Sequence, residues 1–524
     1  MDENLQMTGV TFHGAALREP FKACVVIRRK RQWIPAALAH AVPLAALLGV
    51  DSVGGSTQAR PAQPSIAFVS AASVSASTVE LTLADAVYLG LRDNRSIRSA
   101  YLQRIVQKFE LRVAQDVFSP KVIITSKHQG NRGHADRQRD HSLKPEATLL
   151  NEWGTRFTLS WVQQLNQADQ GGRKRNNGLD FEVVQPLLKG AGREIVNAPT
   201  RLASLSERQN QLALRSTVSK TVTEIVSAYR ELLKAQEQQR IAQTALARSR
   251  QLFDMNKALI AAGQMAEFES VQTEADVASQ ELSVEETANQ LDQSRVALLH
   301  LLALDPGTRL NASEVLKVEA VEIDRQQALR VALAQQPAYL QLLIAGEKAE
   351  IHLRVAQNAR LWDVSLVAGA SQSHSRPGAE QHHAGRAWDS YAGIQLSVPI
   401  GDMSARKNAL SAQVAAQVHV IQQTEARLSL EQNVGNRIRD MSTRWRQYEI
   451  AQRVRDLSQR KLDIERDKLK IGRSSNFQVL SFEQDLRHAE NATLNAQIAY
   501  LNAQTQLDES MGMTLHSWEI ALND

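Results

Sequence analysis

Nine residues at Gly472–Leu480, GRSSNFQVL, have a counterpart 209 positions upstream, GQMAEFESV at Gly263–Val271. The same displacement carries Ile241–Gln243 onto Ile450–Gln452, both IAQ, and Pro186 in FEVVQPLLKGAG precedes Pro399 in QLSVPIGDMSAR by nearly the same distance. LRVAQ also occurs twice, at Leu111–Gln115 and Leu353–Gln357. A duplication constrains the fold more than composition does, because both copies must build one kind of unit. The chain therefore reads as repeat 1 at 81–315 and repeat 2 at 316–524, preceded by a linker at 60–80.

Each repeat has the order helix, strand pair, long helix, helix. Only 13 Pro and 25 Gly punctuate 524 residues, so the elements are long. The first helix covers about 35 residues (Leu83–Val117; Arg325–Ala359), the long one about 70, ending at Gly263 or Gly472, and the last about 38, to Leu304 or Met513. Gly472 suits the left-handed angles that end a helix, and Ser475 with Gln478 predicts a capping box for the next. At ~1.5 Å per residue the long helix spans roughly 105 Å, about the length of the two shorter ones end to end. Leu486, Ala489, Thr493, Ala496, Tyr500, Ala503 and Leu507 step by three and four as a coiled-coil seam. Leu494, Ile498 and Leu501 form a second seam, so this helix has neighbours on two sides, as in a bundle or the wall of a tube.

The strand segments alternate. Ala392, Ile394, Leu396 and Val398 interleave with Tyr391, Gly393, Gln395 and Ser397; Leu179, Phe181, Val183 and Leu187 do the same in repeat 1, Gln185 being the exception. Val364, Leu366 and Ala368 open the partner strand of repeat 2, and Val122 with Ile124 that of repeat 1. Such alternation fits a membrane barrel, apolar toward lipid and polar toward a wet lumen, although a half-buried soluble sheet shows it too. Four strands cannot close a barrel without lipid-exposed edges, so three chains of four strands, twelve in all, are the economical solution. Phe157, Leu159 and Trp161 suggest an additional hairpin in repeat 1, and Trp153, Trp362 and Trp388 near strand ends are candidates for an interfacial girdle.

The N-terminus carries Arg28, Arg29, Lys30 and Arg31 ahead of the apolar run Trp33–Val50, the order of a secretory signal, and small residues up to Ala59 suit cleavage. Residues 1–59 are therefore expected to be a signal peptide. Its removal takes the only cysteine, Cys24, and leaves 55 Lys and Arg against 52 Asp and Glu. So small an excess argues against a nucleic-acid partner.

This combination resembles the TolC family of outer-membrane factors, the exit ducts of Gram-negative efflux pumps and type I secretion systems. The resemblance runs from about Leu81 to Met513, carried by the doubled unit, the QPLLKGAGRE and VPIGDMSARK junctions and the GRSSNFQVL turn. It implies a mainly α fold with a β-barrel portion: a coiled-coil-like helical tunnel in the periplasm and a homotrimeric twelve-stranded barrel, four strands per chain, in outer-membrane lipid. The implied role is passive conduction of substrate across periplasm and outer membrane, with a periplasmic adaptor (membrane fusion) protein and an inner-membrane transporter as partners. The resemblance puts Gly263, Gln264, Phe268, Gly472, Arg473, Ser474 and Phe477 at the tip where the adaptor docks. At the tunnel constriction, where some members carry an acidic ring, it puts Gln478 and Ser481, with Glu269 a further candidate. A secreted or periplasmic coiled-coil structural protein without a pore is the alternative.

No catalytic, cofactor or metal motif accompanies this pattern. LKGAGREI follows a strand and opens a helix, yet Ile195 replaces the third glycine of a dinucleotide-binding turn and no βαβ unit follows. His374, His382 and His383 lie between strands without an acidic partner and read as solvated loop residues. The chain is expected not to be an enzyme.

Overall fold

The computed structural model describes residues 79–132, 137–168, 172–314, 316–376 and 385–522. The expected signal peptide, Cys24, most of the linker, His382 and His383 lie outside the described residues. In chain order the elements are β1 (Val79–Leu81), α1 (Leu83–Asp93), α2 (Arg95–Gln115), β2 (Lys121–Arg132), β3 (Arg137–Leu150), β4 (Arg156–Ala168), β5 (Gly172–Pro186) and α3 (Arg193–Val196). There follow α4 (Ala198–Ala261), α5 (Phe268–Leu301), β6 (Leu310–Ala312), α6 (Arg325–Gln335), α7 (Pro337–Asn358), β7 (Asp363–Arg376), β8 (Gly385–Ser397), α8 (Ser404–Lys470), α9 (Asn476–Met511) and α10 (Thr514–Ser517).

The leading helix of each repeat is not continuous, as expected from the sequence, but broken after its first 11 residues. Asn94 takes non-helical angles and its side chain accepts from the amides of Ser96 and Ile97, starting α2 afresh, while its Nδ2 donates to the Leu301 carbonyl at 2.8 Å. At the matching place Gln336 caps α7 through the Tyr339 amide, and Pro337, which has no amide to donate, occupies the first turn. In both breaks a capping side chain replaces the helical bond, so the helix bends without orphaning its donors.

Helices α1, α2 and α5 pack along α4, and α6, α7 and α9 pack along α8. The anticipated seam is buried at Leu486, Ala489, Thr493, Tyr500, Ala503 and Leu507, with Leu494 and Ile498 buried on the second face. α4 joins the two groups through α7 and α9. Arg230 of α4 clamps that contact by donating to the Leu501 carbonyl and the Thr505 hydroxyl, both at 2.7 Å, and burial pushes its pKa down to about 10. Desolvation likewise pushes the Tyr229 phenol up to about 12, and its hydroxyl donates to the Leu81 carbonyl at 2.8 Å. No described helix is long and apolar enough to cross a membrane.

The strands correct the sequence reading. One antiparallel sheet in the order β2-β3-β4-β5-β7-β8 gives the chain six long strands rather than four. The two extra ones are β3 and β4, the latter containing the suspected Phe157, Leu159 and Trp161. β5 ends at Pro186 and β8 at Ser397, so Leu187 and Val398 fall just past the ladder. A separate parallel pair, β1-β6, ties the start of repeat 1 to the segment following α5.

Candidate functional site

Two regions carry functional geometry: the sheet and the paired helical turns. Pairing in the sheet aligns one row of residues across all six strands, Val122–Ala147–Leu159–Phe181–Ala370–Ser390, and another, Leu149–Phe157–Val183–Ala368–Ala392, across five. Next to the first of these, on the opposite face, runs Ile123–Glu146–Ser160–Asp180–Ser371–Asp389, and between the two runs Thr148–Thr158–Glu182–Gly369–Tyr391. Successive residues point to opposite faces, so one side of the sheet is mainly apolar and the other mainly polar. The polar side holds a Lys144–Glu146 ion pair at 2.6 Å, and Tyr391 reaches over Gly369 toward Glu182. Gly369 makes room for that ring, since an added Cβ would lie 2.6 Å from it.

The apolar side is open to its surroundings: Ile124 is 68% and Ile394 72% exposed. Trp161 and Trp388 lie on this face in one register row, linked through Leu179 and Gln372, and Trp362 stands ten residues before Gln372 along the chain. At ~3.3 Å per residue and a tilt of ~40°, those ten residues span roughly 25 Å, the height of a barrel's lipid-facing band. The exposed indoles thus bracket an apolar belt.

At the far end of the long helices the two turns share one backbone solution. Gly263 and Gly472 have φ of +71° and +72°. The amides of Gln264 and Arg473 each bond the carbonyl five residues back, and those of the glycines the carbonyl three back, which is a Schellman ending. The Ser475 hydroxyl then accepts the Gln478 amide to start α9, the half of the expected capping box that is formed. Phe268 and Phe477, just after the turns, are 74% and 67% exposed. Gln264, Arg473 and Gln478 are exposed, and Ser474 and Ser481 half-buried.

The turns are joined side by side. Asn476 donates to the Glu269 carboxylate at 2.8 Å, so that carboxylate is held between α5 and α9. The Ser474 hydroxyl donates to Glu465 at 2.7 Å, and that bond, ahead of Lys468, holds the Glu465 carboxyl below its usual range. Deeper in, Glu483 of α9 binds Arg248 of α4 at 3.0 Å and Arg466 of α8, while Lys461 takes Asp485 at 2.8 Å. Asn476 and the Glu483 clamp escaped the sequence reading because their partners lie up to 235 residues away.

A family model described as Outer membrane efflux protein matches residues 328–513. This segment is similar to the outer membrane efflux proteins. The matched segment takes in α7, β7, β8, α8 and α9, so it contributes both to the amphipathic sheet and to one of the two turns. Solved outer-membrane channels have the same fold over most of the chain. The Campylobacter jejuni CmeC outer membrane channel aligns with a TM-score of 0.63 at 14% identity, over 82% of this chain and 86% of that one. The Vibrio cholerae outer membrane protein VceC gives 0.62 at 15%, over 82% and 96%. The open state of the Neisseria gonorrhoeae MtrE outer membrane channel gives 0.64 at 17%, over 83% and 89%. Identities this low speak for the fold alone. No curated protein matches the sequence.

The clamp near the turns makes a pH prediction. Burial pushes the Glu483 carboxyl above its ordinary value of 4.5 despite the two arginines. A raised value means that the packed helices hold this proton more tightly than a solvated Glu would, so protonation favours packing. That contribution is fully present below about pH 4.5 and lost as pH rises through the higher value. Amide exchange around 245–252, where Arg248 meets Glu483, should therefore slow as pH falls through this window, after correction for intrinsic rates, and Glu483→Gln should remove that contribution.

Proposed function

We propose that three copies of this chain close into a passive channel through the outer membrane, the exit duct of a tripartite efflux pump or a type I secretion system. An adaptor grips the helical turns, and an inner-membrane transporter supplies the energy. The observation that carries this reading is the pair of incomplete edges. β2 and β8 bound the sheet and are exposed along their whole described length. α2, which leads toward β2, exposes Leu102, Ile105, Val106, Phe109 and Val113, and α8, which follows β8, exposes Leu410, Val414, Val418 and Ile421.

Backbone groups on an open edge find no partner in lipid. Strand directions alternate across the sheet, so β8 of one copy meets β2 of the next antiparallel, and the same rotation sets α8 against the neighbour's α2. One cyclic contact thus satisfies both edges and covers both apolar helix stripes. Three copies is the number implied by the resemblance of the repeat pattern to the TolC family. A pore-free coiled-coil protein would leave both the indole-bracketed belt and the edges without purpose.

Docking at the turns rests on their shape. A Cβ added at Gly263 or Gly472 meets nothing within 4 Å, and the neighbouring phenylalanines are open, leaving a shallow seat for a partner's helical hairpin. Lumen width and wall polarity, not a pocket, would set selectivity.

Purified protein added to planar bilayers should give steady ohmic conductance from a heat-resistant trimer. A monomer that stays in solution and conducts nothing would favour the pore-free structural protein. Gly472→Leu should keep trimer and conductance, since the space is open and the left-handed angle costs only about 1 kcal/mol. In-cell cross-linking from a photoreactive residue at 477 should lose its adaptor adduct in that variant; an undiminished adduct would count against docking at this turn.

A further inference from the structure

We propose that the β3–β4 hairpin is part of the lipid-facing wall, so that each chain contributes six strands and the closed trimer has eighteen rather than twelve. The inference rests on the trimeric barrel reading and changes its size.

Three independent features place the hairpin in the wall. The first is pairing. β3 is laddered to β2 from Lys121↔Thr148 to Arg132↔Arg137, and β4 to β5 from Arg156↔Val184 to Ala168↔Gly172. The hairpin is therefore inserted between β2 and β5, not attached to an outer edge. The second is phase. Leu143, Ala147 and Leu149 of β3 and Phe157, Leu159 and Trp161 of β4 fall on the same face as Phe181, Val183, Leu366 and Ile394. Ser142, Glu146, Thr148, Thr158 and Ser160 fall on the polar one. A one-residue slip would reverse every one of these, so the match specifies a shared lipid boundary.

The third is anchorage. The β3–β4 turn is pinned at the sheet's helical end, where Asn151 accepts from the Trp153 and Thr155 amides and Glu152 pairs with Arg193 at 2.8 Å. Gly154, at φ +92°, sits so close to the following junction that a Cβ would lie 2.9 Å from the Gly190 carbonyl and 3.1 Å from Pro186 and Val196. A hairpin free to peel away from the wall would not be fitted this closely to the strand-to-helix junction. The sequence carries an echo of the insertion. The repeat displacement is 242 positions at LRVAQ, before the strands, but 213 at the Pro186–Pro399 pair after them. Repeat 1 is thus longer by 29 residues across its strands, close to the 32 from Arg137 to Ala168.

The consequence is width. With strands ~4.8 Å apart and tilted ~40°, twelve close at a backbone diameter of roughly 24 Å and eighteen at roughly 36 Å.

The test uses the full chain with Cys24→Ser, reconstituted in phospholipid vesicles, with single spin-labelled cysteines on both faces. Labels at Leu143, Ala147 and Leu159 should be several-fold more accessible to oxygen than to a water-soluble nickel chelate, relative to labels at Ser142, Glu146 and Ser160. They should be in phase with the controls at Ile394 and Gln395 of β8, while native mass spectrometry counts three chains. If β8 shows the lipid pattern but β3 and β4 are water-exposed at every position, the hairpin lies outside the wall and this proposal fails while the barrel stands. If two chains are counted, six strands each make twelve and the proposal also fails. If β8 itself shows no lipid phase, the barrel reading falls.

Discussion

Backbone hydrogen bonding at the two sheet edges governs the rest of this molecule. A six-stranded sheet with one apolar face has an acceptable environment only where that face meets something apolar, and lipid is apolar enough. Lipid, however, offers no hydrogen bonds to the free amides and carbonyls of β2 and β8. The proposed closure by neighbouring copies would resolve the conflict, and it bears on the helices too. The stripe from Leu102 to Val113 on α2 and that from Leu410 to Ile421 on α8 are exposed in one chain, and the proposed ring would cover each with the next copy.

The helical portion is tied by polar bonds wherever long helices would otherwise slide. Arg230 fixes α4 against α9 by donating to a carbonyl and a hydroxyl, and Asn94 bonds across to the end of α5 while starting α2. Ion pairs add to these ties at both ends, Arg104 with Glu207 between α2 and α4 nearer the sheet, and Arg248, Arg466, Glu483, Lys461 and Asp485 toward the turns. At the end proposed to receive a partner, these pairs lie beneath a rim of exposed Phe268 and Phe477.

Much of this was legible in the chain because it is local. Gly263 and Gly472 end their helices through left-handed angles, a property of one residue, and the spacing Leu486, Ala489, Thr493 shows its buried face without knowledge of the neighbour. The breaks at Asn94 and Gln336 were also locally encoded, by an asparagine cap and by Pro337, but the surrounding helical periodicity concealed them. β3 was hidden by its own residues. Pro145 and the charges Lys144 and Glu146 interrupt its strand pattern, although Leu143, Ala147 and Leu149 keep a period of two around them. The contacts joining the turns were not legible, because Asn476 meets Glu269 and Glu483 meets Arg248 only once the two repeats lie side by side.

Covalent capture of the edge contact tests the central claim most directly. In a Cys24→Ser background, Ile124→Cys on β2 is combined in turn with Ser390→Cys, Ala392→Cys and Ile394→Cys on β8, and intact outer membranes are oxidised. At least one pair should give species of two and three chains, none larger, while each single variant stays a monomer. Monomers alone from every pair, or a ladder that continues past three chains, would contradict closure of the sheet by a ring of three copies.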